Sequence, residues 1–335
     1  MNNVAIVGAT GAVGKELLSV LERRNFPIRE LHCFASARSS GRQLFFRNKP
    51  VTVKPLSDEA LQGIDIAIFS AGSKVSREWV PKAVSRGIRV VDNSSAFRME
   101  PSVPLIIPEI NSHALKEHSL LAASPNCSAT IMLMAAAPLH RHFKIKRIVA
   151  ATYQAASGAG FQAMKELQAE TLAHLQNRPF LERTVMPHPY AFNLFPHNSP
   201  LNAEGYAEEE IKMLEETRKI LEDDQIWVNA TCVRVPVLRA HAEALNITFD
   251  GPVSVAEAYS VLKNAPGLCI MEDRQNNRFP MPSDVSGQDN VFCGRLRKDP
   301  SFPNTLDLWV VGDQLLKGAA LNAVQIAELY PVYAK

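Results

Sequence analysis

Cys127 lies in the stretch Ser124-Pro125-Asn126-Cys127-Ser128-Ala129-Thr130, between a short apolar run of strand type at 120–123 and an alanine-rich run of helix type at 131–139. A sulfur at a strand-to-helix junction is a candidate nucleophile. Asn126 is placed to cap the helix, which leaves Cys127 beside backbone N–H groups and the positive end of the helix dipole, a setting that favours a thiolate. An unperturbed cysteine ionises near pH ~8.5, and a helix N-terminus lowers that value into the reactive range. The same junction also suits a small, inert, packed cysteine, so the neighbouring elements must decide.

The other chemistry-bearing stretches sit at similar junctions. Gly8-Ala9-Thr10-Gly11-Ala12-Val13-Gly14 follows a strand-like 4–7 and opens a helix-like 15–24. Its three glycines suit a tight turn, close approach to a pyrophosphate and helix–strand packing, so Gly8, Thr10, Gly11, Ala12, Val13 and Gly14 are candidate dinucleotide contacts. The spacing G-x-x-G-x-x-G departs from the commoner G-x-G-x-x-G. Past the second strand, at 31–35, come Ser36, Arg38 and Ser39, and no acid occurs from 31 to 57. A ribose 2′-hydroxyl usually meets an Asp or Glu there; an arginine and hydroxyls instead suit a 2′-phosphate, which predicts NADP(H) rather than NAD, or else a solvated basic loop.

Strand-like runs at 66–69 and 88–91, with helix-like 75–86 between them, continue a strand–helix alternation that predicts a doubly wound, mostly parallel sheet with ligands at the strand C-terminal ends. Two of those ends are small and polar. Ser70 lies in one, and Arg98 in the other, as an anion ligand or a surface charge. After a strand at 146–153, the turn containing Gln154, Ser157 and Gly158 precedes a helical pattern at 161–176, so Ser157 and Gly158 are read as further cofactor contacts. Glu209 and Lys212, three apart in a helical pattern at 206–221, share one helix face; a solvated ion pair is the common fate of such a pair. Strand-like 227–235 carries Arg234 near its end. Runs at 292–296 and 306–311 complete an antiparallel sheet, and a final helix at 314–329 returns to the first domain.

The chain has 335 residues, 46% of them hydrophobic, which allows two cores. The expected fold is α/β: a Rossmann-type doubly wound nucleotide-binding domain from 1–127 and 314–335, and an α+β catalytic and dimerisation domain, its sheet mainly antiparallel, from 128–313. A net charge of +2 points to small-molecule partners and to neither nucleic acid nor membrane. Five scattered cysteines without a C-x-x-C pair indicate no metal site and a reducing, cytoplasmic setting. No run approaches a membrane span and no charged leader precedes the first strand.

GATGAVG at 8–14, SARSSGR at 36–42, DNSSAFR at 92–98, SPNCSAT at 124–130 and TYQAASGAG at 152–160 resemble the aspartate-β-semialdehyde dehydrogenase family over nearly the whole chain. The last two blocks differ from those of acetyl-glutamyl-phosphate reductases and glyceraldehyde-3-phosphate dehydrogenases. The resemblance implies reversible NADPH-dependent reduction of β-aspartyl phosphate to aspartate β-semialdehyde and phosphate through a Cys127 thioester. That reaction serves lysine (through diaminopimelate), threonine and methionine synthesis. A reductase of another acyl phosphate is the alternative. The family would have Glu209 meet the substrate amine, Lys212 the phosphate with Arg98, and Arg234 the α-carboxylate. His241 would be its acid–base group and Gln154 would orient the thioester, with a further donor from Asn126. Ala240 and Ala242 stand where members commonly have Gly and Ser. Without the resemblance His188 and His197, in the long irregular loop 186–200, would rival His241. A homodimer is expected through the second domain's sheet and that loop. Asn322, on the last helix, is expected to approach the nicotinamide.

Overall fold

Strand β1 (Asn2–Val7) buries Val4, Ala5 and Ile6 completely, and helix α1 (Ala12–Arg23) lays Leu17, Leu18, Val20 and Leu21 inward. These elements begin a computed structural model that describes residues 1–180 and 183–330. Then follow β2 (Ile28–Ala35), β3 (Gln43–Phe46), β4 (Lys49–Pro55), β5 (Ile66–Phe69), α2 (Ser73–Ser85), β6 (Arg89–Asp92), α3 (Pro108–Asn111) and β7 (Leu121–Ala123). They form one sheet in the order β3-β4-β2-β1-β5-β6-β7. All its pairings are parallel except β3 with β4. Parallel strands are covered on both faces, hence the unbroken apolar run of β5, all four residues of which are buried. The chain starts at β1, moves to β2 on one side and resumes at β5 on the other, so the crevice beyond β1 and β5 is the topological switch point.

The expectations do not include the β3–β4 hairpin. Its turn residues Arg47 and Asn48 both have φ in the left-handed region, as a primed hairpin turn demands, but without the Asn-Gly pair that announces one. Pro50 and Pro55 further disguise β4 as loop.

A second sheet is built from later segments. In chain order come α4 (Cys127–Phe143), β8 (Ile145–Gln154), α5 (Phe161–Leu175), β9 (Phe195–Pro196), α6 (Glu208–Leu221), β10 (Trp227–Arg234), β11 (His241–Phe249), α7 (Val255–Lys263), β12 (Leu268–Ile270), α8 (Pro282–Val285), β13 (Val291–Lys298) and β14 (Thr305–Gly312). The strand order is β12-β13-β14-β11-β8-β10-β9. Pairing is mainly antiparallel, with β8–β10 and β12–β13 parallel. Register aligns Thr152 with Cys232 and Glu243, and Gln154 with Arg234. Alternation therefore puts Thr152, Gln154, Cys232, Arg234, His241 and Glu243 on one face. α4 supplies cover from its wholly apolar body, with Ile131 to Ala137 all buried.

The chain ends differently from the single helix expected at 314–329. A π-helical turn, Leu316–Ala320, precedes α9 (Leu321–Leu329). Gly318 in that turn passes so near Cys127 that a Cβ on it would stand 2.8 Å from the Cys127 Cβ; wide turns of this kind recur beside functional groups. Packing divides the chain into Met1–Pro125 with the segment from Ala319, and Asn126–Gly318, against the expected divisions at 127/128 and 313/314.

Candidate active site

In the first unit, a cavity of about 560 Å³ opens beyond β1, β2 and β5, lined among others by Gly8, Thr10, Gly11, Ser36, Ala37 and Ser70. Gly8 has φ +95, and a side chain there would run into the Ser70 carbonyl; one at Gly14 would run into the Gly8 carbonyl. No side chain caps α1 and its first turn contains no acid, so the positive helix end stays available to an anion. Thr10 Oγ1 donates to Ser39 Oγ at 3.4 Å, and Arg38 is exposed in the following 3-10 turn. These residues fit a dinucleotide.

Arg98 is buried and bound to its own unit: Nε donates to the Ser124 carbonyl at 2.9 Å and Nη2 to that of Asn93 at 3.0 Å. Asn322 is fully buried, its Nδ2 donating to the Ile106 carbonyl at 2.9 Å and to Ser124 Oγ at 3.0 Å. It braces the segment before the cysteine.

In the second unit Asn126 caps α4, its Oδ1 accepting the N–H groups of Ser128 (2.9 Å) and Ala129 (3.1 Å). Its Nδ2 donates to Glu209 Oε1 at 2.8 Å, and the same oxygen takes Gln154 Nε2 at 3.2 Å. Gln154 is fixed from behind by Thr152, whose hydroxyl donates to Oε1 at 3.1 Å. Burial disfavours a Glu209 carboxylate, but His197, the Asn126 amide, Lys212 and Arg234 hold its pKa below the usual range. Lys212 Nζ lies 2.9 Å from Glu208 and 3.8 Å from Glu209.

His241 has no exposed surface, and its Nδ1 accepts the Ala155 N–H at 3.0 Å. Burial, then the neighbouring Arg234 and His197, push its pKa well below that of an ordinary histidine. A neutral ring that accepts at Nδ1 carries its hydrogen on Nε2. That atom has no hydrogen-bond partner among the described residues and faces Gly158, where a Cβ would come within 3.1 Å of it and 3.0 Å of Arg234 Nη1. His241 is thus set to donate at Nε2. Ala240 before it has φ +72, a left-handed conformation in which glycine is easiest. Its N–H is held by Gln314 Oε1 at 2.9 Å, and Gln314 Nε2 meets Ser157 Oγ. Glu243 is fully buried without a hydrogen-bond partner among the described residues, and burial drives its pKa well above the usual carboxylate range.

The structure thus gathers Asn126, Gln154, Glu209 and Lys212 into one cluster and Arg234, His241, Ser157 and Gly158 into its neighbour, with Cys127 at the capped helix end. Sequence reading missed two groups, Glu216 and Gln314, and named a third, His197, only as a rival to His241. Glu216 accepts the Asn126 N–H at 2.6 Å; it lies seven residues after Glu209, two helical turns along the same face, and that spacing was the available signal. Gln314 has none. His197, whose Nε2 is 2.8 Å from Arg234 Nη2, sits in a loop with no periodicity to place it. Among the described residues no group of side chains could hold a metal and no helix is long and apolar enough to cross a membrane.

A switch-point crevice in one unit and a cysteine at a capped helix end over a mixed sheet in the other fit the layout of a semialdehyde dehydrogenase. Residues 3–118 match the semialdehyde dehydrogenase NAD-binding domain and residues 136–317 the semialdehyde dehydrogenase dimerisation domain. The aspartate-semialdehyde dehydrogenase of a Synechocystis species is 52% identical over 326 residues, covering 97% of this chain and 96% of that one. That of Aquifex aeolicus is 49% identical over 329 residues, with 97% of each covered. A crystal structure of aspartate semialdehyde dehydrogenase II from Vibrio cholerae, complexed with ASA, superposes with a TM-score of 0.95 at 41% identity, covering 98% of both chains. The chain belongs to the aspartate-semialdehyde dehydrogenase family.

Proposed function

We propose that this chain reduces β-aspartyl phosphate to aspartate β-semialdehyde and phosphate, reversibly and with NADPH, through a thioester on Cys127. The observation that carries the reading is the α4 N-terminus. Asn126 caps it, and Glu209 ties the Asn126 amide to that of Gln154, so nucleophile and orienting groups belong to one hydrogen-bonded frame. Relatives named for this activity, and one solved with ASA bound, support the substrate.

The Cys127 thiolate attacks the acyl carbon; the C–O bond to phosphate breaks, and the departing phosphate takes up the one proton the reaction consumes. Lys212 and Arg98 are assigned to its charge, Arg234 to the α-carboxylate and Glu209 to the amine. NADPH, when bound, supplies the hydride that turns the thioester carbonyl into an oxyanion. His241 Nε2–H then donates a hydrogen bond to that oxygen, Gln154 holds its neighbour in place, and collapse breaks the C–S bond and returns the thiolate. In this cycle His241 works as a neutral donor and the ionisation of Cys127 is left to the helix end. Ser157, Gly158 and Asn322 are assigned to the cofactor, and Arg38 with Ser39 to its 2′-phosphate. We assign the product to cytoplasmic synthesis of lysine, threonine and methionine, and the active form to a homodimer.

Steady-state assay with NADP, phosphate and aspartate semialdehyde, against other aldehydes, tests the reading. Preference for another aldehyde would move the assignment to a reductase of a different acyl phosphate. Arg38→Ala should weaken NADP much more than NAD, and equal weakening of both would reassign the 2′-site.

A further inference from the structure

Loop 186–200 brings His197 against Arg234, and the two are held in that relation by backbone. β9 pairs with β10 so that Phe195 faces Arg234, and the His197 N–H donates to the Cys232 carbonyl at 2.8 Å. Guanidinium nitrogens only donate, so His197 Nε2, 2.8 Å from Arg234 Nη2, must accept; the ring is neutral with its hydrogen on Nδ1. Nδ1 lies 3.1 Å from Ser199 Oγ and 3.2 Å from the Ser199 N–H. The guanidinium and the Ser199 N–H, which points its hydrogen at Nδ1, can both only donate, and one neutral ring cannot accept from both while keeping its own hydrogen. The guanidinium contact is the shorter and charge-assisted, so it sets the tautomer and Nδ1 turns its hydrogen to the Ser199 hydroxyl. Ser199 Oγ also accepts the Glu209 N–H at 3.2 Å. A chain of hydrogen bonds therefore runs from Arg234 through His197 and Ser199 to the first turn of α6.

Arg234 has little else to orient it. Nη1 reaches the Ala155 carbonyl only at 3.4 Å, and Nε, though buried, has no hydrogen-bond partner among the described residues. A buried guanidinium with an unsatisfied donor is a group waiting for an acceptor, and its direction depends on the one short bond it makes. We propose that His197 is a positioning residue for Arg234, turning the guanidinium's remaining donors toward the substrate carboxylate and linking that arginine to Glu209. The substrate's identity, though not the contact, rests on the proposed function. Protonation of His197 would set a cation against Arg234. Burial first, then Arg234 and Lys212, depress its pKa to about 4 against the opposing pull of Glu209 and Glu210, so the acceptor persists at neutral pH.

Two measurements on the full chain test this. In the reverse assay, His197→Leu should raise KM for the aldehyde about tenfold or more, the worth of a hydrogen bond to a charged group. KM for phosphate should stay within about twofold, because phosphate is held by other residues. His197→Gln, whose Oε1 can accept from Arg234, should restore most of the loss. Nitrogen NMR of His197 in resting enzyme should show hydrogen on Nδ1, with a protonation midpoint that rises in Arg234→Gln. Equal losses in the Leu and Gln variants, a parallel rise in both KM values, or a midpoint unmoved by Arg234→Gln would each overturn the proposal. If the enzyme prefers another aldehyde, the kinetic comparison is made with that aldehyde and the NMR result stands apart, so the reaction can be reassigned without touching the contact.

Discussion

Cys127→Ser is expected to lower turnover by more than about a hundredfold, since a hydroxyl is a far weaker nucleophile and no other group can form the acyl intermediate. NADP binding, measured by fluorescence, should stay near the parent value because the glycine turn is untouched; substantial residual turnover would remove the thioester. Glu243 offers a test that is independent of catalysis. Its folded-state pKa is raised by burial, so above the unfolded value of about 4.3 the unfolded chain gives up this proton before the folded chain does. Unfolded protein then binds fewer protons, and the carboxyl's contribution to stability falls as pH rises. Glu243→Gln keeps shape without the titration. The melting temperature of this variant relative to the parent should climb as pH rises above about 4; a flat difference would place a partner on the carboxyl. At this scale the residues alone pointed to Asn126 and Cys127, where a helix cap and a thiol at a strand-to-helix junction are chemically specific, whereas Gln154 and Arg234 entered only through the family resemblance. The sequence was silent at Gln314 and offered His197 only as a rival to His241, since the contacts of the two come from partners 74 and 37 residues away.

Elements were readable where their apolar period was undisturbed, and β1, β5, α2 and β10 lie within a few residues of expectation. β11 was not read as a strand, for a physical reason. Its inward positions begin with His241 and Glu243, polar groups where a strand of this sheet would ordinarily show aliphatic ones, so the site itself erased the alternation that reveals the element. Loop 186–200 also gained an account that composition did not hold. Glu166 on α5 accepts the N–H groups of Thr184 (2.8 Å), Val185 (3.0 Å) and Met186 (2.9 Å), and Glu170 those of Tyr190 (2.8 Å) and Ala191 (3.2 Å). Two helix carboxylates thus do for this segment what a neighbouring strand would do, and they hold the approach to His197. Glu166→Gln exchanges an ionised acceptor for a neutral one, and charge-assisted bonds are roughly twice as strong. Hydrogen exchange at amides 184–186 should accelerate by about tenfold or more, while the β8 amides stay as slow as in the parent. Unchanged protection would show that the loop is held by its apolar contacts alone.

At the scale of the molecule, the second sheet presents an asymmetry. Its functional face carries Gln154, Arg234, His241 and Glu243 and is buried, whereas register sets Val149, Ala151 and Tyr153 of β8 beside Asn246 and Ala244 of β11, and Asp307 and Trp309 of β14, on the opposite face. There an open cavity of about 350 Å³ is lined by these residues with Arg295 and Arg297. Tyr153 is 37% exposed, and its ring packs on that of Trp309 at 5.5 Å. A layer of aromatic and small apolar side chains left in water is unfavourable, and covering it with the same face of a second copy is the simplest closed arrangement, since a two-fold interface needs one self-complementary patch. The match to a dimerisation domain over residues 136–317 supports the same proposal. Light scattering at micromolar concentration is expected to give twice the 36.9 kDa chain mass. Tyr153→Arg, which sets like charges against each other across the axis next to Arg295 and Arg297, should shift the mass toward the monomer while leaving circular dichroism unchanged. A parent protein that is monomeric under these conditions would overturn the dimer. A dimer indifferent to Tyr153→Arg would move the interface off this face, with the exposed Phe192, Leu194 and Leu201 the next apolar surface to substitute.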